Sequence, residues 1–310
     1  RKRIKETEAE QMEQRVVVTG IGLVTPVGND RPTTWTALCR GTSGVGPITH
    51  YDAARHRVKI AAEVKDFDPV PYLAGEVPSP YDPGVAYGLA ALDEAQAQAR
   101  LDVSAHAEKI GVCIGSGKGG IASLHTHFYT LLEDDPARLP ATTYPQINQS
   151  SFVSALALRS GARGPSFVTV SACASSANAI GEASEMIRRG DAIAMIAGGV
   201  EAGITPLPMA AFANMGALSQ RNDDPAHASR PFDAARDGFV LGEGAAILIL
   251  EDLAFARARG APLLGEVVGY GATADAHHIT EPDPAGDGIQ RAMRRALAKA
   301  RIAPEAVGYI

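Results

Sequence analysis

The stretch that most constrains this chain is residues 165–201. An apolar run, P-S-F-V-T-V-S-A, stops at Cys173; A-S-S-A-N-A-I-G-E-A-S follows in mostly small residues, and the helical pattern ends near Gly190. A second apolar run, A-I-A-M-I-A-G-G-V, then fills residues 192–200. Apolar runs without polar alternation read as strands covered on both faces, and a helix between two of them makes a strand-helix-strand crossover. The rest of the chain repeats the alternation. R-V-V-V-T-G-I-G from Arg15 and K-I-G-V-C-I-G-S-G from Lys109 predict buried strands of the parallel kind. Helices are predicted around residues 32–39, around 84–100 and after Gly120. Residues 238–251 predict two short strands about a glycine turn, and Leu253 to Arg259 a helix. After Pro262 the pattern starts again, with a strand over 264–271, an amphipathic helix over 286–300 and the opening of another strand at 307–310. This alternation defines an α/β protein.

Composition narrows the function classes. Hydrophobic residues make up 45% and charged residues 21% of the 310, a globular mixture. The net charge of -6 gives no global reason to expect nucleic acid. Cys39, Cys113 and Cys173 are far apart and form no C-x-x-C pair, which indicates neither a disulfide framework nor a zinc site and suits a reducing cytoplasm. No apolar run approaches the roughly 20 residues of a membrane helix. The first 14 residues are nearly all polar or charged and read as a leader or linker. A start at Arg1 and an apolar end at V-G-Y-I read as a chain cut at both ends.

Cys173 is the chemical candidate. It sits between a strand and a helix of small residues, where unpaired helix amides favour a thiolate and small side chains leave room above the sulfur. A buried structural cysteine is the alternative that context alone leaves open. Glu201, Asp237 and Glu243 lie beside glycines in tight turns, where capping and ion pairing are the expected roles. The glycines around Lys118 lack the spacing of a nucleotide phosphate loop.

V-S-A-C-A-S-S-A at 170–177 resembles the active-site segment of the beta-ketoacyl synthases. Three further segments resemble that family in the same order: R-V-V-V-T-G-I-G-L-V-T-P-V-G, I-G-S-G-K-G-G at 114–120, and the long run from A-L-S-Q-R-N-D-D to L-G-E-G-A at 217–245. D-A-H-H-I-T at 275–280 follows in its expected place. The similarity spans residues 15–310 and is closest to the elongating enzymes of dissociated fatty-acid and polyketide systems. It implies a thiolase-like fold, layered α-β-α-β-α in the complete protein. Residues 15–260 would be the amino-terminal half and 261–310 the start of the carboxy-terminal half. It also implies a homodimer, no metal or organic cofactor, and as partner an acyl carrier protein with phosphopantetheine-linked acyl and malonyl groups. The implied reaction is decarboxylative Claisen condensation, with Cys173 as nucleophile and its own amide as one oxyanion donor. Phe212 and Phe239 match pocket-lining aromatic positions, and His278 matches a position near the entrance; a place in the core is the alternative for each phenylalanine, and a loop or rim place for His277 and His278.

The resemblance also implies two decarboxylating histidines in H-G-T and G-G-H-N type motifs. None of the eight histidines lies in such a setting, and the expected position of the first follows V-G-Y-I. On that reading the chain would make no condensation product by itself. Lys118 stands where these enzymes usually carry an apolar residue at the floor of the acyl pocket. A lysine there would bind a polar or anionic group, shorten the pocket, or swing to solvent. Residues 75–82, G-E-V-P-S-P-Y-D, lack the basic residues of relatives, Gly216 replaces an arginine, and Arg138 alone remains of the usual carrier contacts. Two rivals stay open: another acyltransferase of the thiolase superfamily, and a non-condensing fragment or partner subunit.

Overall fold

The computed structural model describes residues 14–73, 82–133 and 135–310. In chain order it builds β1 (Val16–Val24), α1 (Arg31–Cys39), β2 (Gly46–Pro47), β3 (Ile60–Ala61), α2 (Val70–Leu73), α3 (Pro83–Ala99) and β4 (Ile110–Gly115). Next come α4 (Ile121–Glu133), α5 (Thr143–Ile147), α6 (Ser150–Ser160), β5 (Ser166–Thr169), α7 (Ser175–Arg189), β6 (Ala194–Glu201) and α8 (Pro206–Asn214). The last elements are β7 (Gly244–Asp252), α9 (Leu253–Ala258), β8 (Gly265–Glu266) and α10 (Asp287–Ala300). Among the described residues the main sheet has the order β5-β4-β6-β7-β1-β8. The β4 strand runs parallel to β5 and β6, whereas β7 runs antiparallel to β6 and β1.

Strand alternation divides the core into two faces. Ile110, Val112 and Ile114 of β4 and Ile247 and Ile249 of β7 pack with Leu89, Leu92, Phe152 and Leu156 from α3 and α6. Cys113, Met195 and Leu250 point the other way, against Ala179, Ala183 and Ile187 of α7. Helices therefore cover both faces, and the strands read as continuous apolar text for that reason. Burial pushes the Cys113 thiol up to about 12, so this cysteine acts as a small apolar core residue. The fit between β1 and α3 depends on absent side chains. A Cβ on Gly22 would lie 1.8 Å from the carbonyl oxygen of Ala91, so strand and helix meet backbone to backbone.

The α3 helix begins with Asp82 as N-cap, accepting from the Gly84 amide at 3.1 Å, and Pro83 supplies a first-turn residue that has no amide to satisfy. The second Asp82 oxygen accepts from the Ser123 amide at 3.1 Å, tying α4 to the same carboxyl. Asp82 is fully buried, and loss of water raises its pKa to about 6 despite these donors.

Several sequence expectations are corrected. Strand β1 is antiparallel to both neighbours, although its text reads as a parallel strand. Coverage of both faces produces the apolar run, irrespective of strand direction. The β5 strand lies at the sheet edge and is partly exposed, and β4 separates it from β6 within the crossover. The region 238–251 holds one strand, β7, which starts only at Gly244; the segment before it contributes only isolated bridges from Phe239 to Leu218 and Gly242 to Ala62. In 264–271 the ladder is limited to β8, and residues 307–310 are exposed and form no strand, having no strand beside them. The expected leader over residues 1–14 lies outside the described residues except for Gln14, and residues 75–81 of the expected carrier segment lie outside them too. Among the described residues no helix is long and apolar enough to cross a membrane.

Candidate active site

Cys173 lies in a single 3-10 turn, Ala172–Ala174, between β5 and α7, and its residue is exposed. The turn is closed by its own short polar side chains. Ser175 Oγ accepts from the Ser171 amide at 2.9 Å and donates to the Ala172 carbonyl at 2.7 Å. Thr169 Oγ1 donates to the Ser175 carbonyl at 2.8 Å. Asn178 Nδ2 donates to Ser171 Oγ at 2.6 Å, and Tyr270 OH donates to Asn178 Oδ1 at 3.0 Å. Ala172 carries φ +50°, a left-handed conformation that costs a non-glycine residue energy. The neighbouring strand makes room for the turn: a Cβ on Gly115 would lie 2.3 Å from the Ser175 carbonyl carbon.

A cavity of about 370 Å³ opens beside Cys173, at the carboxyl ends of β4 and β6. Its wall is formed by residues 115–117, 172–173, 175–176, 199–201 and 242–246 with the end of β1. Among the described residues the ionisable groups in this wall, besides the thiol, are Glu201 and Glu243. The structure does not place Lys118, Phe212, Phe239 or His278 in the wall itself. Lys118 folds inward with one-fifth of its side chain exposed, lies over Gly203, and pairs with Glu201 at 3.7 Å. The same Glu201 oxygen accepts from the Gly117 amide at 2.9 Å, while its other oxygen finds no hydrogen-bond partner among the described residues.

Phe212 and Phe239 meet edge to face with centroids 5.4 Å apart. Phe212 packs on a core of Ile60, Met209, Leu218 and Leu241, and Phe239 precedes the cavity residue Gly242 by three positions. His278 and His277 are exposed, and His278 Nδ1 accepts from the Thr280 and Glu281 amides at 3.2 and 3.1 Å. The α10 helix gives two arginines to the loop before it. Arg291 and Arg295 donate to the Ala274 and Ala272 carbonyls, both at 2.9 Å.

Sequence reading missed a second cluster. Glu243 is buried, lines the Cys173 cavity, and accepts from the Val64 amide at 2.8 Å. Its same oxygen lies 2.8 Å from His50 Nε2, and Glu63 approaches His50 Nδ1 at 3.8 Å. The hydrogen bond to Glu243 holds His50 above the usual imidazole range, although burial opposes it. The separation of 193 positions between His50 and Glu243 left no local signal. Among the described residues no group of three or more His, Cys, Asp or Glu side chains is arranged to hold a metal ion.

Known structures share this architecture. The ishigamide ketosynthase/chain length factor superposes with TM-score 0.87 at 31% identity, over 95% of this chain and 72% of that one. A beta-ketoacyl synthase from Burkholderia phymatum superposes with TM-score 0.84 at 32% identity, over 96% and 72%. A type II polyketide acyl-carrier protein in complex with its ketosynthase gives TM-score 0.81 at 31% identity, over 96% and 72%. The fold is thus that of the ketosynthases, the thiolase-like class.

At the level of sequence, the beta-ketoacyl synthase N-terminal domain matches residues 13–256, and the corresponding C-terminal domain matches residues 264–310. The 3-oxoacyl-[acyl-carrier-protein] synthase 2 of Synechocystis sp. is 46% identical over 298 residues, covering 96% of this chain and 72% of the relative. The protein of that name from Coxiella burnetii is 42% identical over 300 residues with the same coverage. The chain belongs to the beta-ketoacyl synthase family.

Proposed function

We propose that Cys173 accepts an acyl group from an acyl carrier protein and holds it as a thioester for condensation with a malonyl-carrier unit. The family's acyltransferase chemistry, in fatty-acid or polyketide synthesis, is the frame. The observation that carries the reading is the strained turn that exposes Cys173 to the 370 Å³ cavity. The Cys173 thiolate adds to the donor carbonyl, the oxyanion takes a hydrogen bond from the Cys173 amide, and collapse expels the carrier thiol, which takes up a proton. In the second half, malonyl carrier loses carbon dioxide and the resulting carbanion attacks the Cys173 thioester, returning the thiolate. Phe212 and Phe239 serve as an aromatic wall beside the path to the thiol, Lys118 as a selector of the acyl tail, and His278 as a rim residue. No metal or organic cofactor enters these steps.

A homodimer fits the surface. The outer edge of β5 has no strand partner among the described residues, and Phe128, Leu132 and Tyr144 are 52%, 65% and 73% exposed. A boundary near residue 260, between two thiolase-like units, agrees with the start of the second pattern in sequence. Three unpaired cysteines support work in the reducing cytoplasm.

The test is intact mass after incubation with an acyl-carrier thioester. The expected result is a gain of one acyl group, abolished in Cys173→Ala; a gain that persists in Cys173→Ala rejects the assignment.

A further inference from the structure

We propose that the exposed ridge Arg55, Arg57 and Lys59, together with the end of α8, is the docking surface for the acidic acyl carrier protein. This assignment rests on the acyltransferase reading above. Asp52, Arg55, His56 and Arg57 with Ala210, Ala213 and Asn214 enclose a surface groove of about 370 Å³, in which two arginines face a single carboxylate. Arg55, Arg57 and Lys59 are exposed, and none has an ion-pair partner among the described residues. The nearby acids are partly committed: Asp52 accepts from the Ala54 amide at 2.9 Å, and Asp224 pairs with Arg221 at 3.0 Å and His227 at 2.7 Å. A local excess of cations on a chain of net charge -6 selects an acidic partner.

The ridge is held in shape before any partner arrives. Asn222 accepts from the Lys59 amide at 2.8 Å and donates to the Arg57 carbonyl at 2.9 Å. Val58 and Ile60, between and beside the cations, are buried in one cluster with Met209 and Ala213 of α8. Ridge and helix therefore present a single surface, bordered by Met215 at 60% exposure. Gly216 follows at the same helix end, so cations from a segment some 160 positions earlier stand beside the place where the sequence lacks an arginine. The helix also sets the distance. It starts just past Glu201 of the cavity wall and ends at the groove, and nine residues span about 14 Å. A carrier on the ridge would stand about one helix length from that wall and present its thioester through a flexible arm on the side of the Phe212–Phe239 pair.

The experiment compares Cys173 acylation by two donors, an acyl carrier thioester and an acyl-N-acetylcysteamine thioester, at low and high salt. The full chain is compared with Arg55→Glu/Arg57→Glu and with a charge-matched control, Arg163→Glu/Arg294→Glu. The expected result is a loss of about tenfold or more in the carrier-dependent rate at low salt for the ridge variant alone, shrinking at high salt, with the small-thioester rate within about twofold of the parent. An unchanged carrier-dependent rate, an equal loss in the control, or an equal loss with the small thioester overturns the docking surface while leaving the acyl-transfer reading in place. Failure of the parent chain to take an acyl group from either donor overturns both.

Discussion

The turn around Cys173 and the stretch 272–286 both lie at the surface outside regular ladders, but they are held in different ways. Around Cys173 the contacts are short in sequence and dense: Ser171, Ser175 and Asn178 bind one another within seven positions, and β4 approaches so closely that Gly115 has no room for a side chain. The 272–286 stretch is tethered mainly by reach from elsewhere. Arg291 and Arg295 of α10 bind its carbonyls, Thr273 Oγ1 donates to the Gly288 carbonyl at 2.6 Å, and Asp275 accepts from the Asp283 amide at 3.0 Å. The comparison separates a site defined by excluded volume from one defined by a few polar links. The first should resist relocation and tolerate almost no added atoms. The second should tolerate substitution.

The largest test of that contrast is Gly115→Ala. Its Cβ meets backbone, which cannot swing aside, so the expected cost is about 3 kcal/mol by denaturant unfolding together with loss of Cys173 acylation. Wild-type stability and acylation would remove the claim that the turn is set by close approach.

The next effect concerns Asp82, which anchors α4 just beyond the glycine-rich loop at the cavity. Its folded pKa of about 6 lies above the ordinary carboxyl value of 3.8, so the native state holds this proton more tightly than the unfolded chain does. Its contribution to stability is therefore greatest below about pH 4 and declines as pH rises through about 6, by roughly 3 kcal/mol in all. Unfolding free energies of the parent minus those of Asp82→Asn, followed across that window, should fall with rising pH. A flat difference contradicts the buried, protonatable carboxyl.

A smaller change is expected at the cavity rim. Lys118→Ile leaves Glu201 without its cation, lowers stability by roughly 1 kcal/mol, and shifts competition among acyl thioesters toward longer apolar chains. Unchanged selectivity would confine Lys118 to its ion pair. At the low end, His277→Ala and His278→Ala should each alter stability by less than about 0.5 kcal/mol, since both side chains are exposed. A loss above 1.5 kcal/mol in either would mean that the loop is specified as tightly as the turn.

The same contrast explains what was legible in the sequence. The β4 and β6 strands, the α7 helix and the turn at Cys173 could be read because their residues answer to immediate neighbours: alternate faces covered by helices, small residues where backbones meet. Strand direction could not be read for β1, whose apolar text is the same beside antiparallel partners. Residues 238–251 read as two short strands about a glycine turn because the glycines at 242 and 244 look like turn residues, whereas Gly244, at φ +142°, begins the single ladder strand β7. Glu201 and Glu243 form the ion pairs their sequence setting suggests, with Lys118 and His50, and neither caps a helix; their place in the cavity wall follows from how strand ends converge, which no local pattern encodes. His50 and the Arg55–Arg57 ridge were invisible for the same reason, as each acquires meaning only beside residues more than 150 positions away.

The three cysteines provide the most direct measurement of the central claim. Cys39 and Cys173 are both exposed, Cys113 is buried, and only Cys173 occupies the strained turn beside the cavity. After brief incubation with an acyl-carrier thioester and digestion, peptide mass spectrometry should find the acyl group on Cys173 and leave Cys39 and Cys113 unmodified. Equal labelling of Cys39, or labelling of Cys39 alone, would show that exposure rather than the geometry of the turn governs acyl transfer, and would contradict the account.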